Sequence, residues 1–395
     1  MCGFIGLINK KQNKLSENFL SGLLHHRGPD MSGYYHDETN NFQVYFNRLS
    51  ILDLSNNGNQ PFRFKDLVLV ANCEIYNFNT IKKLFKNKYE FKSNSDAEVL
   101  LYAYFEWGEK FIEILEGMFS IVIYNKKTKE INLYRDRFGI KPLYYFFDND
   151  YFIFSSEFLP LIKIINKIKL NKNLNYESIN NFLYCGYNYE NTTHLTNLFK
   201  LEPSHSLHFK NFNIKKIKYW HLKKMNRDSK LETSSDFVYE QLNKSVQKHL
   251  VSDVPISILL SGGLDSSLIS YLSKKNSLNK SVSTITINMD NQLSKDEKNN
   301  IEFLKQKFEI DNSLINVSSK FIIKDIEKNI DVYDDLQSAD AGYLTNNEIA
   351  KKLKEENCKV VLVGDGSDEI FGGYSWFGLS KFPFTMLNEN IKNYL

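Results

Sequence analysis

Cysteine stands at position 2, between Met1 and Gly3. A small residue after the initiator is the setting in which Met1 is normally removed, and a cysteine left at the terminus carries its own base. The free α-amine titrates near ~7.7–8.0, close enough to neutrality to take a proton from the thiol. Arg48 offers a planar fork suited to a carboxylate, and Glu74 and Asp96 can accept from an ammonium. The second half carries a different chemistry. Ser261-Gly262-Gly263-Leu264-Asp265-Ser266-Ser267 follows an apolar run and opens a helical pattern. Bare N–H groups at the positive end of a helix favour anions, so this run reads as a phosphate cradle. It lacks the lysine of the nucleoside-triphosphate P-loop. A second glycine-rich run, Val363-Gly364-Asp365-Gly366-Ser367-Asp368-Glu369, also ends a strand pattern. Asp265 and Asp368 are candidate ligands for Mg²⁺, a hard cation that takes carboxylate and phosphate oxygens.

These groups must be positioned by two kinds of architecture. In the first half, Phe4–Ile8, Gln43–Phe46, Leu67–Ala71, Met118–Tyr124, Ile131–Arg135 and Tyr151–Ser155 are strand-like runs bounded by Gly, Asn, Asp or Lys. Ala97–Trp107 has helical spacing, and Ser95 followed by Glu98 predicts a capping box. Strands with helices packed on them predict an α+β sandwich. The chain turns polar and irregular from Lys200 to Ser235, where a linker is expected. Beyond it, helical runs (Phe237–Leu250, Glu297–Phe308, Asn346–Glu356) alternate with strand-like ones (Pro255–Leu260, Ser281–Ile287, Lys359–Val363). That rhythm predicts a parallel sheet with crossover connections.

Bulk properties bound the reading. A chain of 395 residues exceeds the ~250–300 at which single cores stop growing, so two domains are expected. Fifty basic and 47 acidic residues are mixed along the chain, which argues against a nucleic-acid binder. The four cysteines, Cys2, Cys73, Cys185 and Cys358, have no metal-ligand or disulfide-framework spacing, so a reducing cytoplasm is expected. No apolar run approaches the ~18–20 residues that span a bilayer, and no signal-peptide layout is present.

The motifs also occur in a recognisable order: His26-Arg27-Gly28-Pro29-Asp30, Arg48-Leu49-Ser50-Ile51-Leu52-Asp53, Gly58-Asn59-Gln60-Pro61-Phe62, Asn72-Cys73-Glu74-Ile75-Tyr76-Asn77, Ser95-Asp96 and Arg135–Tyr145. In this order they resemble the class II, N-terminal-nucleophile glutamine amidotransferases, in particular the asparagine synthetases. The resemblance runs from Cys2 to Tyr374. It implies a four-layer αββα sandwich over 1–205, a linker over 206–235, and over 236–395 an α/β parallel-sheet PP-loop ATP pyrophosphatase domain, incomplete at its C-terminus. It implies Cys2 as nucleophile, and the Asn72 side chain with the Cys73 N–H as oxyanion donors, each worth ~3 kcal/mol. Arg48, Leu49, Ser50, Ile51, Leu52, Glu74 and Asp96 would line the glutamine site with them. The ATP site would comprise Leu260, Ser261, Gly262, Gly263, Leu264, Asp265, Ser266, Ile287, Val363 and Gly364. Asp365 falls where the family has an acidic residue that handles the ammonia-attacked intermediate. The implied substrates are glutamine, aspartate and ATP with Mg²⁺.

Two departures stand out. The family usually has glycine at the position of Cys73. A side chain there is expected to narrow the pocket, and a positive φ would cost it roughly 1–2 kcal/mol. The match is loose over Asp334–Asp340, and the chain ends at Leu395, where family members continue. The expected activity is therefore asparagine synthesis. The alternatives are another carboxylate acceptor (a sugar acid or peptide) or a glutaminase or partner subunit. The expected assembly is a homodimer or a pairing with a chain that supplies the missing segment. Apolar residues around Phe377–Phe384 would serve such a partner.

Overall fold

The computed structural model describes residues 1–188, 191–222, 234–277, 282–290, 293–318, 334–336 and 341–374. The described residues divide into two compact units. The first is Met1–Tyr239 with Val251–Val254 and Lys320–Asn347; the second is Glu240–Leu250, Pro255–Ser319 and Glu348–Leu395.

The first unit holds two six-stranded antiparallel sheets. One contains β1 (Gly3–Asn9), β2 (Met31–Asp37), β3 (Phe42–Arg48), β8 (Tyr144–Phe147), β9 (Tyr151–Ser155) and β10 (Leu198–Lys200), in the order β10-β8-β9-β1-β3-β2. The other contains β4 (Phe62–Phe64), β5 (Leu67–Ile75), β6 (Gly117–Asn125), β7 (Glu130–Arg135), β11 (His205–Lys210) and β12 (Asn213–Lys218), in the order β12-β11-β7-β6-β5-β4.

The two-residue period of a strand explains the layers. Phe4 and Ile8 of β1 meet Val68 and Val70 of β5 and Val122 and Tyr124 of β6 in a core between the sheets. Ile5 and Leu7 point the other way, onto Leu20 of α1 (Glu17–Ser21) and Ile164 of α5 (Phe158–Lys167). Leu69, Ile121 and Ile123 face outward to α2 (Phe78–Phe85), α3 (Glu98–Trp107) and α4 (Phe111–Ile114). Three apolar cores thus separate four layers, αββα. Strands buried on both faces read as near-continuous apolar runs, which is why they were visible in the sequence. Close packing even excludes a side chain at Gly6, where a Cβ would lie 2.3 Å from the Phe154 ring.

The second unit is built on a four-stranded parallel sheet: β13 (Ile256–Leu259), β14 (Ser283–Met289), β15 (Asp311–Val317) and β16 (Val360–Leu362), in the order β15-β14-β13-β16. The helices α8 (Leu264–Asn276) and α9 (Lys295–Phe308) are the crossovers that parallel pairing requires. Leu260, Ile301, Leu304 and Phe308 form a core between loop and helix. The other α-helices among the described residues are α6 (Tyr176–Cys185), α7 (Ser235–His249), α10 (Ala341–Glu355) and α11 (Ser367–Phe371).

Three expectations need correction. The segment 206–218, read as linker, forms β11 and β12, and Ser206–Phe209 of β11 pairs with Ile131–Tyr134 of β7. Its lysines lie on the edge strand, which disguised the alternation; residues 223–233 lie outside the described set. Ser95 and Glu98 form no capping box. Ala97 is the residue before α3, and the Glu98 carboxylate accepts from the N–H groups of Lys92 and Ser93. The reciprocal capping pair belongs instead to Ser294 and Glu297 at α9. The third concerns α10, which begins at Ala341, five residues before the expected start.

Candidate active site

Cys2 precedes β1, the strand paired on both sides by β9 and β3. Its sulfur receives the Leu49 N–H at 3.4 Å and donates to the Leu49 carbonyl at 3.6 Å. Arg27 Nε donates to the Cys2 carbonyl at 2.9 Å, while Arg27 Nη1 pairs with Glu157 at 2.8 Å. The thiol and the carbonyl that follows it are therefore both held in place.

Cys2, Arg48, Leu49, Ile51, Leu52, Cys73, Glu74 and Asp96 line one small, partly open cavity of ≈ 30 Å³. A volume of that size holds a water. Ser50 and Asn72 are not among the lining residues. Ser50 is buried, and its N–H is held by Asp30 Oδ2 at 2.7 Å.

The guanidinium of Arg48, 4% exposed, already donates to the carbonyls of Ser55 at 2.8 Å and Leu52 at 2.9 Å and to that of Asp53. It therefore shapes the 52–55 loop in this state. Gly58 makes room for it, since a Cβ there would sit 2.3 Å from Arg48 Nη2.

The pleat of β5 sorts the other groups. Val68 and Val70 face the core on which Cys2 packs, so Asn72 and Glu74 continue that face. Asn72 is 2% exposed, and its Nδ2 has no hydrogen-bond partner. Leaving such a donor unpaired costs roughly 1–3 kcal/mol, a cost tolerated where the donor serves a ligand. Cys73 packs on the opposite core, and its sulfur donates to Asp96 Oδ2 at 3.6 Å. It pairs in register with Phe119 and is not among the residues with positive φ, so the anticipated backbone strain is absent.

Charge is concentrated here. Burial, then the neighbouring Asp96, push the Glu74 carboxyl up to about 8. Burial also raises Asp96, against the Ile75 N–H that it accepts at 2.8 Å. The Cys2 thiol is pushed up by burial. The amine of Met1, the chain terminus here, is lowered to about 6, chiefly by burial and also by the charges of Arg27 and Lys141.

At the second site the parallel register brings three loops to one end of the sheet. Ile256, Ser257 and Ile258 pair with Val360, Val361 and Leu362, and Leu259 pairs with Ile285. Gly262 has φ +81°, and a Cβ there would meet the Glu297 carbonyl at 2.7 Å. Ser261 and Ser266 join through their hydroxyls at 2.9 Å, and the first turn of α8 has no side-chain cap. Its N–H groups are thus free for an anion. The loops abut: a Cβ on Gly364 would lie 3.2 Å from Asp265 Cβ. Asp265 is half-buried, Asp365 exposed, and Asp368 half-buried against Gly373, where a Cβ would meet Asp368 Oδ1 at 1.8 Å. Leu264 and Val363 are exposed and Ile287 half-buried. Leu260 is different. Its side chain is in the core, its N–H goes to Ile285 and its carbonyl to Thr286, so it positions the loop. No cluster of three metal-ligating side chains occurs among the described residues.

Sequence reasoning assigned no role to Gln60, Asp136 or Lys141. Gln60 clamps the strand before Asn72, donating to the Ala71 carbonyl at 3.0 Å and accepting its N–H at 2.6 Å. Asp136 accepts four N–H groups, from Phe119, Phe138, Ile140 and Lys141. Both lie inside the ordered motifs, which was the available signal.

An αββα sandwich with a cysteine entering its central strand defines the N-terminal-nucleophile amidotransferase class. The glutamine amidotransferase domain model matches residues 1–220, and the asparagine synthase model matches 238–389. The chain belongs to the family of glutamine-hydrolysing asparagine synthetases. Over its whole length it is 32% identical to asparagine synthetase 1 of Bacillus subtilis, spanning 62% of that protein. A protein of Methanocaldococcus jannaschii, provisionally named as a second such synthetase, is 31% identical over 95% of this chain and 76% of its own length. Asparagine synthetase B of Escherichia coli is 29% identical over 100% of this chain and 68% of its own. No helix among the described residues is long and apolar enough to cross a membrane.

Proposed function

We propose that the chain hydrolyses glutamine at Cys2 and uses the ammonia to amidate aspartate, with ATP cleaved to AMP and pyrophosphate. The observation that carries the reading is the buried, unpartnered Nδ2 of Asn72 on the Cys2-facing side of β5.

With Met1 removed, the α-amine of Cys2 takes the thiol proton, and the sulfur adds to the amide carbon of glutamine. Asn72 Nδ2 and the Cys73 N–H donate to the oxygen as it becomes negative, each worth about 3 kcal/mol. The proton held by the amine passes to the departing nitrogen, ammonia leaves, and water hydrolyses the thioester to glutamate. Glu74 and Asp96 receive the substrate ammonium, which offsets the cost of two buried carboxylates side by side. Arg48 exchanges loop carbonyls for the substrate carboxylate, a stronger acceptor. That exchange opens the small cavity.

At the second site the free N–H groups of α8 and the serine pair fit the phosphates of ATP, and Gly262, whose left-handed turn abuts Glu297 of α9, sets the course of the loop that carries them. Asp265 and Asp368 would hold Mg²⁺, whose charge offsets that of the phosphates. The β-carboxylate of aspartate attacks the α-phosphorus and expels pyrophosphate; ammonia then displaces AMP to give asparagine. Asp365, exposed beside this loop, takes the proton from the attacking ammonia.

The test is one incubation of purified protein with glutamine, aspartate and Mg-ATP, scored separately for glutamate, pyrophosphate and asparagine. All three are expected. Glutamate without pyrophosphate would refute the synthetase half.

A further inference from the structure

The pairing of β4 with β5 ends where Phe62 faces Leu69, and Pro61, the residue before Phe62, has no N–H to give. Beyond that point no strand covers this edge of β5, although it is the edge that runs past the cavity. Gln60 covers the next position with its side chain. Its Nε2 donates to the Ala71 carbonyl at 3.0 Å, and its Oε1 accepts the Ala71 N–H at 2.6 Å. One carboxamide thus makes the two hydrogen bonds of a strand partner. Gln60 is 6% exposed, and its backbone lies against the other sheet: a Cβ on Gly33 of β2 would sit 1.9 Å from the Gln60 carbonyl oxygen.

Alternate residues of an antiparallel strand turn their N–H groups to the same side. On this edge the Ala71 N–H goes to Gln60 and the Ile75 N–H to Asp96 Oδ2 at 2.8 Å. Between them stands the Cys73 N–H. Its neighbour across the ladder is Phe119, whose N–H and carbonyl both go to Asp136. The Cys73 N–H therefore meets no acceptor among the described residues. Gln60, Ala71, Cys73 and Asp96 line the same cavity as Cys2. A donor that serves a developing negative charge must be fixed before the charge appears. Here the N–H groups on either side of it are each fixed by a buried side chain.

We propose that Gln60 is a positioning residue of the oxyanion donors: with Asp96 it frames the Cys73 N–H and fixes the strand edge that presents this donor to the Cys2 cavity. The proposal rests on the glutaminase reading.

The test measures glutamate release at varied glutamine and pH for the wild-type chain, Gln60→Met and Gln60→Glu, with folding followed by circular dichroism at each pH. Methionine fills the space and makes neither bond. Its kcat should fall about 10²-fold, the effect of a donor displaced by about an ångström, with KM within a few-fold. Gln60→Glu supplies the rescue. A neutral carboxyl accepts the Ala71 N–H and donates to the carbonyl as the amide does, whereas the ionised form loses its donor. The kcat ratio of this variant to wild type should be near one at about pH 5 and fall ~10-fold by about pH 8, because burial raises a carboxyl above its usual ~4.3. Arg48 from β3, Glu74 from β5, Asp96 before α3 and the thiols of Cys2 and Cys73 face the same cavity in both proteins, so the ratio isolates the new carboxyl. A ratio independent of pH in folded protein overturns the proposal. So does a loss in Gln60→Met carried by KM alone, which would make Gln60 a wall of the substrate pocket, or failure of both variants to fold. A wild-type chain that releases no glutamate would overturn the glutaminase reading, and this proposal with it.

Discussion

The sulfur of Cys73 donates to Asp96 Oδ2 at 3.6 Å, and the same oxygen accepts the Ile75 N–H at 2.8 Å. A thiol therefore forms part of the cavity wall on an ordinary strand backbone. Cys73→Gly should lower the KM for glutamine and leave kcat within a few-fold. It should also lower stability by about 1 kcal/mol, because a strand loses a packed side chain. Steady-state kinetics with a thermal melt checks both; a rise in KM would contradict the steric reading.

Asn72→Ala should lower kcat by about 10²–10³ with little change in KM, the signature of a donor used only as the oxyanion forms. Stability should not fall, since the deleted donor has no partner in the free protein. A loss of several degrees in Tm would instead make Asn72 a structural residue.

Cys2→Ala should abolish release of glutamate from glutamine while ammonia-driven amidation persists. Residual glutamate formation at the wild-type rate would place the nucleophile elsewhere.

The pH dependence has a definite sign. A carboxyl raised from 4.5 to about 8 binds its proton more tightly in the folded chain, so Glu74 subtracts stability as pH rises through that window. An incoming ammonium needs the ionised form. The KM for glutamine should therefore fall between about pH 6 and 8, and glutamine should raise Tm more at pH 8 than at pH 6. In Glu74→Gln the fall in KM should vanish.

Asp335, 3% exposed, joins His194 Nδ1 at 2.6 Å and Lys200 at 3.4 Å; against its burial, which works the other way, the hydrogen bond from His194 and the charge of Lys200 set its carboxyl below the usual range. Phe158 donates its N–H to the adjacent Asp334 at 2.9 Å. Asp335→Asn should cost about 1.5–3 kcal/mol in unfolding experiments at pH 7. The lowered pKa means that this stabilisation is present above the ordinary carboxylate range and is lost as pH falls through it.

Much of this was legible in advance because the strands of the sandwich are buried on both faces. Phe4–Ile8 and Leu67–Ala71 show up as apolar runs with no polar interruption. Where burial is one-sided the signal failed: β12, with Lys215, Lys216 and Lys218, reads as loop until its partner is known. The site was legible as residue types at fixed order, not as geometry. Nothing in the spacing of Arg48 shows that loop carbonyls occupy it, and nothing around Lys141 shows that it is buried. Both facts depend on contacts between segments far apart in sequence.

Pairing of Ile256 with Val360 has a consequence for how the protein is made. The cradle at Gly262 leaves the ribosome early, yet the strand that brings Gly364 against Asp265 is synthesised about a hundred residues later. Until then β13 has an open edge, a surface that recruits other strands. The thiol site has no such wait, since β9, which closes the sheet beside β1, ends at Ser155. The strands around Cys2 can pair at that point, while the parallel sheet still depends on residues not yet translated.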